Sequence, residues 1–208
     1  MNKNNSNEKE VYQKLIILGK SKDTADVLIP QVAKYINYPS KKIKAKVLWI
    51  LGELGFKNPE KIKPYIIQIA HELKNEDTKI RLRAVGALGR IGRGNFDLIK
   101  LHIPIILSKA TDLNADVRMN FIWACENIAT TSPNVFNSSM KIFAKLLDDE
   151  GIRVKREAPE IFRVIGKRLP ALVAPYIPKL KIISETDPDA VVKIHATGAI
   201  KASIKQIN

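Results

Sequence analysis

A chain of 208 residues with 45% hydrophobic and 27% charged side chains carries enough apolar material for a packed core, which excludes a wholly disordered polymer. Its 35 Lys and Arg against 21 Asp and Glu give a formal charge of +14 and direct attention to acidic partners. One cysteine excludes an internal disulfide framework, and three scattered histidines argue against a histidine-rich metal centre.

The first seven residues, Met1 to Asn7, read as a disordered polar tail without the apolar segment of a secretory signal. No apolar run approaches the ~20 residues that cross a bilayer. Together with the lone Cys125, this makes a soluble cytoplasmic protein without membrane association the expectation.

From Val11 onward one pattern repeats. The segment Lys42 to Gly55 aligns without a gap on Lys79 to Gly92, a step of 37. Further steps of 37 reach Asp116 to Ala129 and Arg153 to Gly166, and a step of 38 reaches the segment beginning Val192-Lys193. Within each segment the apolar residues keep helical spacing, as in Ile43, Val47, Ile50, Leu51 and Leu54. A second apolar stripe follows each one, and these stripes predict partner helices of about 10–15 residues. Asn58-Pro59-Glu60 reads as an N-cap, a first-turn proline and a favourable acid, and Ser132-Pro133 and Leu169-Pro170 place proline likewise. The predicted units are residues 8–37, 41–75, 78–111, 115–148 and 152–185, with a final helix at 189–207, all in one domain spanning 8–208.

The order Val-Arg, then Ala, Ala-Leu and Ile-Gly, clearest from Ile80 to Gly92, resembles the HEAT-repeat family. The likeness is particularly to the short bacterial and archaeal type near phycobilisome lyase-like repeats, and it covers roughly residues 8–207. It implies an all-α fold: a right-handed α/α solenoid of antiparallel helix pairs whose second helices line the concave side. Pro159 departs from the pattern inside a first helix and predicts a kink there.

The charge is uneven. Residues 38–75 and 150–208 each carry an excess of +5, whereas residues 113–149 carry −1. Lys44, Arg81, Arg118, Lys155 and Lys193 recur at one position and read as a structural ladder reaching acids such as Asp77, Asp116, Asp149 and Asp189. Cations outside the ladder are Lys41, Lys42, Lys46, Lys61 and Lys63, then Arg83, Arg90, Arg93 and Lys100, then Arg153, Arg156, Arg163, Lys167 and Arg168. Of these, Arg90 with Arg93 and Lys167 with Arg168 follow first helices and predict one basic rim, its two clusters about 20 Å apart. Lys61, Lys63, Lys100, Trp49 and Trp123 complete the expected binding surface; the two tryptophans share a register and are expected to pack against a neighbouring helix or to contact a partner.

No catalytic, cofactor-binding or metal motif stands out. Gly86, Gly89, Gly92 and Gly94 occupy a helix and its end, where small residues permit close approach and a left-handed exit. Cys125 falls on a core stripe, and Asp148 to Gly151 reads as a capping turn. The glycosylase-like branch of the resembled family needs an acid beside aromatics. Glu72, Asp97 and Asp148 are the acids near second helices, and no tryptophan accompanies them. The expectation is therefore a noncatalytic module, without cofactor, that engages an acidic protein partner. Nonspecific nucleic-acid binding is the first alternative, and a lyase-like or glycosylase-like activity the second.

Overall fold

Capping residues recur with the step of the repeat and set where the long helices begin. In a computed structural model describing residues 3–204, the side chains of Ser40, Asp77, Asn114 and Asp189 each accept a backbone N–H from the first turn of the helix that follows. Those helices are α3 (Lys41–Lys57), α6 (Thr78–Gly94), α8 (Ala115–Thr131) and α13 (Ala190–Ile204), while α10 (Ile152–Gly166) starts after Gly151. A second polar residue reinforces each turn: Asn75, Asp112, Asp149 and Asp187 accept the N–H of Asp77, Asn114, Gly151 and Asp189.

The chain divides into two compact units, Met1–Ile103 and Pro104–Asn208. The first holds α1 (Lys3–Leu18), α2 (Ala25–Ala33), α3, α4 (Pro59–Ile62), α5 (Ile66–His71) and α6. The helix α7 (Ile103–Leu107) straddles the boundary. The second unit continues with α8, α9 (Met140–Leu146), α10, α11 (Pro170–Val173), α12 (Ile177–Thr186) and α13. Helix pairs stack within each unit, and no strand occurs among the described residues; the fold is an all-α solenoid of HEAT/armadillo type. No helix there is long and apolar enough to cross a membrane. Helix α1 begins at Lys3, so residues 3–7 of the expected polar tail have helical backbone; Met1 and Asn2, and residues 205–207 of the expected final helix, lie outside the described residues.

The second helices differ from expectation. Helix α12 runs for ten continuous residues as expected, but elsewhere in the second helices short α segments alternate with 3₁₀ turns at Lys63–Tyr65, Glu72–Lys74, Lys100–His102, Ser108–Thr111, Pro133–Phe136 and Ala174–Tyr176. Internal proline accounts for the turns at Lys63–Tyr65, Lys100–His102 and Ala174–Tyr176, whereas those at Glu72–Lys74 and Ser108–Thr111 contain none. Pro64, Pro104, Pro175 and Pro178 each lack the N–H an α-helix needs, and each ring crowds the carbonyl one turn back. Pro159, in contrast, is buried within α10, which runs uninterrupted from Ile152 to Gly166.

The two cores use different side chains. In the first unit, Ile43, Val47 and Leu51 of α3 and Ile80, Ala84, Leu88 and Ile91 of α6 are buried with Leu15, Ile62 and Ile69. In the second, Phe121 stacks on Phe143 at 5.9 Å and Phe136 meets Phe143 edge-on at 5.3 Å, and all three are fully buried. Aliphatic packing in the first unit is close enough to demand glycine. A Cβ on Gly52 would lie 2.8 Å from the Ala87 Cα, and one on Gly94 would lie 2.5 Å from the Phe56 carbonyl oxygen. No glycine among the described residues has positive φ, so the left-handed exit expected near Gly94 is not used; close helix approach is the requirement.

Gly52→Ala tests that requirement, because helix propensity alone favours alanine by about 1 kcal/mol. The expected outcome is the reverse, a loss of about 1–3 kcal/mol in urea unfolding as α3 and α6 are pushed apart. A neutral or stabilised variant contradicts the contact.

Candidate anion-binding cleft

Most of the cations singled out in the sequence already have partners. On the ladder, Lys44 pairs with Glu72 at 2.9 Å and Lys155 with Asp187 at 2.7 Å. Arg118 clamps Asp149 through Nε and Nη2, both at 2.7 Å, and donates to the Asp112 carbonyl at 2.8 Å. Arg81 donates to the carbonyls of Asn75 and Glu76 at 2.9 and 2.8 Å, and Lys193 lies half-buried on α13. The acids named from sequence are used differently, apart from Asp149: Asp77 takes Lys41, Asp116 takes Arg153 and Asp189 takes Arg156.

Three cations of the expected binding surface are paired with acids as well. Arg90 pairs with Glu53 at 2.7 Å, Lys61 with Asp26 at 2.6 Å and Lys100 with Asp97 at 3.2 Å. The Arg93 guanidinium lies 5.1 Å from the Phe56 ring centre, and Arg168 donates to the Val164 carbonyl at 3.1 Å. Lys63 and Lys167 are exposed. Arg90 and Arg93 belong to the first unit, Lys167 and Arg168 to the second. Trp123 is 40% exposed on α8, whereas Trp49 is half-buried.

Trp49 belongs to a cleft where positive charge gathers without an acid in its lining. A cleft of about 300 Å³ in the first unit is lined by Tyr12 of α1, by Lys42, Ala45, Lys46 and Trp49 of α3, and by Lys79 and Arg83 of α6. The arrangement follows from the register. Lys42 and Lys46 are one helical turn apart on α3; Lys79 and Arg83 occupy the same two positions on α6, one repeat later. Close packing of α3 on α6 brings the two pairs to one opening. The Lys46 Nζ lies 4.3 Å from the Trp49 ring centre and the Lys42 Nζ 4.3 Å from that of Tyr12. None of the four cations forms an ion pair among the described residues. Desolvation, then the charges of Arg83 and Lys20, pull the Lys46 ammonium below the ordinary lysine range. Such a cleft can hold an anion.

Sequence reasoning named Lys42, Lys46 and Arg83 as free of the ladder but did not bring them together, and it passed over Tyr12, Lys20 and Lys79. The available signal was the 37-residue step linking Lys42 to Lys79 and Lys46 to Arg83.

In the second unit the positions that correspond to the four cleft cations hold Asp116, Asn120, Arg153 and Glu157, so acids enter that register. Glu126 on α8 stands where the sequence register has Gly52 and Gly89, and its Oε1 is enclosed without a hydrogen-bond partner among the described residues. Burial, then the charges of Glu157 and Glu160, push its carboxyl up to about 8, while Arg163 acts in the opposite sense. Glu160 pairs with Arg163, and the His195 Nδ1 lies 2.6 Å from the Arg156 carbonyl oxygen. No group of three potential metal ligands gathers among the described residues. In the turn from Asp148 to Gly151, Asp149 is held by Arg118 and Asp148 by Lys179. Burial raises the Cys125 thiol well above its ordinary value, which suits a core side chain.

The profile of the family described as "Sister chromatid cohesion protein PDS5 protein" matches residues 21–166. No curated protein matches the chain. Among solved structures, a designed armadillo repeat protein in complex with a (KR)4 peptide is similar at TM-score 0.68 and 18% identity, over 94% of each chain. Computationally designed armadillo repeat proteins for modular peptide recognition give 0.69 and 17%, over 94% of this chain and 92% of that one. An engineered protein gives 0.72 and 16%, over 99% and 95%. At these identities the likeness is one of fold, at the HEAT/armadillo level of the resemblance drawn from the repeat motif.

The enclosed Glu126 makes stability pH-dependent with a definite sign. The folded protein keeps this proton up to about pH 8, whereas an unfolded chain releases it near the ordinary glutamate value of 4.5. Stability from this group therefore falls as pH rises from 4.5 to 8. Glu126→Gln removes that slope and gains about 1–3 kcal/mol over the parent at the alkaline end. Equal gains at pH 4 and pH 8 contradict this assignment.

Proposed function

The chain belongs to the PDS5 family of sister chromatid cohesion proteins, and from that premise we propose that it is a noncatalytic repeat scaffold that binds an acidic segment of a protein partner. The observation that carries this reading is the cleft between α3 and α6, where Lys42, Lys46, Lys79 and Arg83 line one opening beside Tyr12 and Trp49 without an acid. Supporting it is the fold itself, since designed armadillo proteins of similar architecture are described as peptide binders. One of those holds a peptide of alternating Lys and Arg; the cleft of this chain has the opposite sign, so the complementary segment is acidic. The aromatic rings give the cleft floor apolar area for the stems of bound side chains. A cytoplasmic location belongs to the same reading.

Nucleic acid is the rival ligand for a basic surface. A small cleft with its rings already covered by lysines suits a side chain better than a run of stacked bases. Arg90, Lys61 and Lys100 are each matched by an acid, which weakens an extended phosphate-tracking surface.

Fluorescence anisotropy with a labelled Glu-Gly repeat peptide, a Lys-Arg repeat peptide and duplex DNA separates these readings. The acidic peptide is expected to bind, with affinity falling as salt rises. The double variant Lys42→Glu, Lys79→Glu should weaken it about tenfold or more, with a melting temperature no lower than that of the parent. Absence of acidic-peptide binding at low salt, or tighter binding of DNA at every salt concentration, overturns the proposal.

A further inference from the structure

Resting on the reading that the α3–α6 cleft receives an acidic protein segment, we infer that its preferred occupant is a phosphorylated side chain of that segment rather than a carboxylate. Four cations line the opening, two from each helix, and none forms an ion pair among the described residues. One carboxylate brings a single charge and leaves most of this field unbalanced. A phosphomonoester brings about −1.5 to −2 and three strong acceptor oxygens, enough to engage groups from both helices at once. Arg83 adds a planar fork suited to two of those oxygens, and Lys42, Lys46 and Lys79 supply flexible point charges around it.

Size and lining agree. The cleft volume of about 300 Å³ suits a compact anionic head with a short stem. Ala45 and the Trp49 ring provide an apolar surface for the stem, while the lysines over Trp49 and Tyr12 are already oriented by their rings. The crowding felt by Lys46 from Arg83 and Lys20 is relieved when a dianion enters, so the free protein carries a repulsion that binding removes.

The test uses the full chain and three peptides of identical Glu-Gly sequence, differing at one central position: Ser, Glu or phosphoserine. Isothermal titration calorimetry is expected to rank phosphoserine above Glu above Ser, with about tenfold between the first two. Lys46→Ala and Arg83→Ala, each checked for a circular dichroism melt no lower than that of the parent, should bring the phosphoserine peptide close to the Glu peptide. Inorganic phosphate at peptide concentration should not displace it. Equal binding of the phosphoserine and Glu peptides overturns this inference and leaves the proposed function standing; failure of every peptide removes both. Full displacement by equimolar inorganic phosphate overturns the choice of a protein segment as its source.

Discussion

Everything distinctive about the surface of the first unit depends on how closely two consecutive long helices approach. Gly52 of α3 faces the backbone of Ala87 with no room for a Cβ. Helices this close present equivalent positions side by side, so a side chain repeated after 37 residues meets its own counterpart. For apolar residues the result is a shared core. For charges of one sign the result is a repulsive cluster, and Lys42, Lys46, Lys79 and Arg83 form one.

The rest of the molecule shows how such repulsion is ordinarily avoided. Helices α3, α8 and α10 each offer a cation to an acid in a neighbouring turn: Lys44 to Glu72, Arg118 to Asp149 and Lys155 to Asp187. The last two acids are themselves fixed by the turn before the next helix. Asp149 accepts the Gly151 N–H while clamped by Arg118, and Asp187 accepts the Asp189 N–H while paired with Lys155. Charge, capping and helix placement are thus coupled at these turns, and truncating a buried member such as Arg118 would strand its partner. The cleft lies outside this scheme. Four cations without acids cost stability in the free protein, a pattern expected where a ligand supplies the missing charge. Glu126 shows the same pattern with opposite sign, an acid crowded by Glu157 and Glu160 where the register in α3 and α6 has glycine.

Long-helix boundaries were legible because caps and apolar spacing are local and repeat: Ser40, Asp77, Asn114 and Asp189 announce helices that begin one residue later. Three interruptions of the second helices were also written in the sequence, at Pro64, Pro104 and Pro175, but the stripe of apolar residues outweighed them in the reading. The site was harder to see. Ladder cations and rim cations are distinguished by their acids, and pairings such as Arg90–Glu53 or Lys61–Asp26 depend on side-chain reach between elements. Recognising the cleft required two spacings together, one helical turn along α3 and one repeat across to α6, and Tyr12 enters from a helix that neither spacing reaches.

The account stands on unrelieved positive charge at this opening. Its most direct measurement is the titration of the Lys46 side chain by heteronuclear NMR, in the parent and in Arg83→Gln. The expected result is a Lys46 ammonium that titrates below the ordinary lysine range and moves upward when the Arg83 charge is removed. A Lys46 that titrates at or above the ordinary lysine value, and does not respond to Arg83→Gln, would mean that a counter-charge already occupies the cleft, and the anion-binding reading would fail.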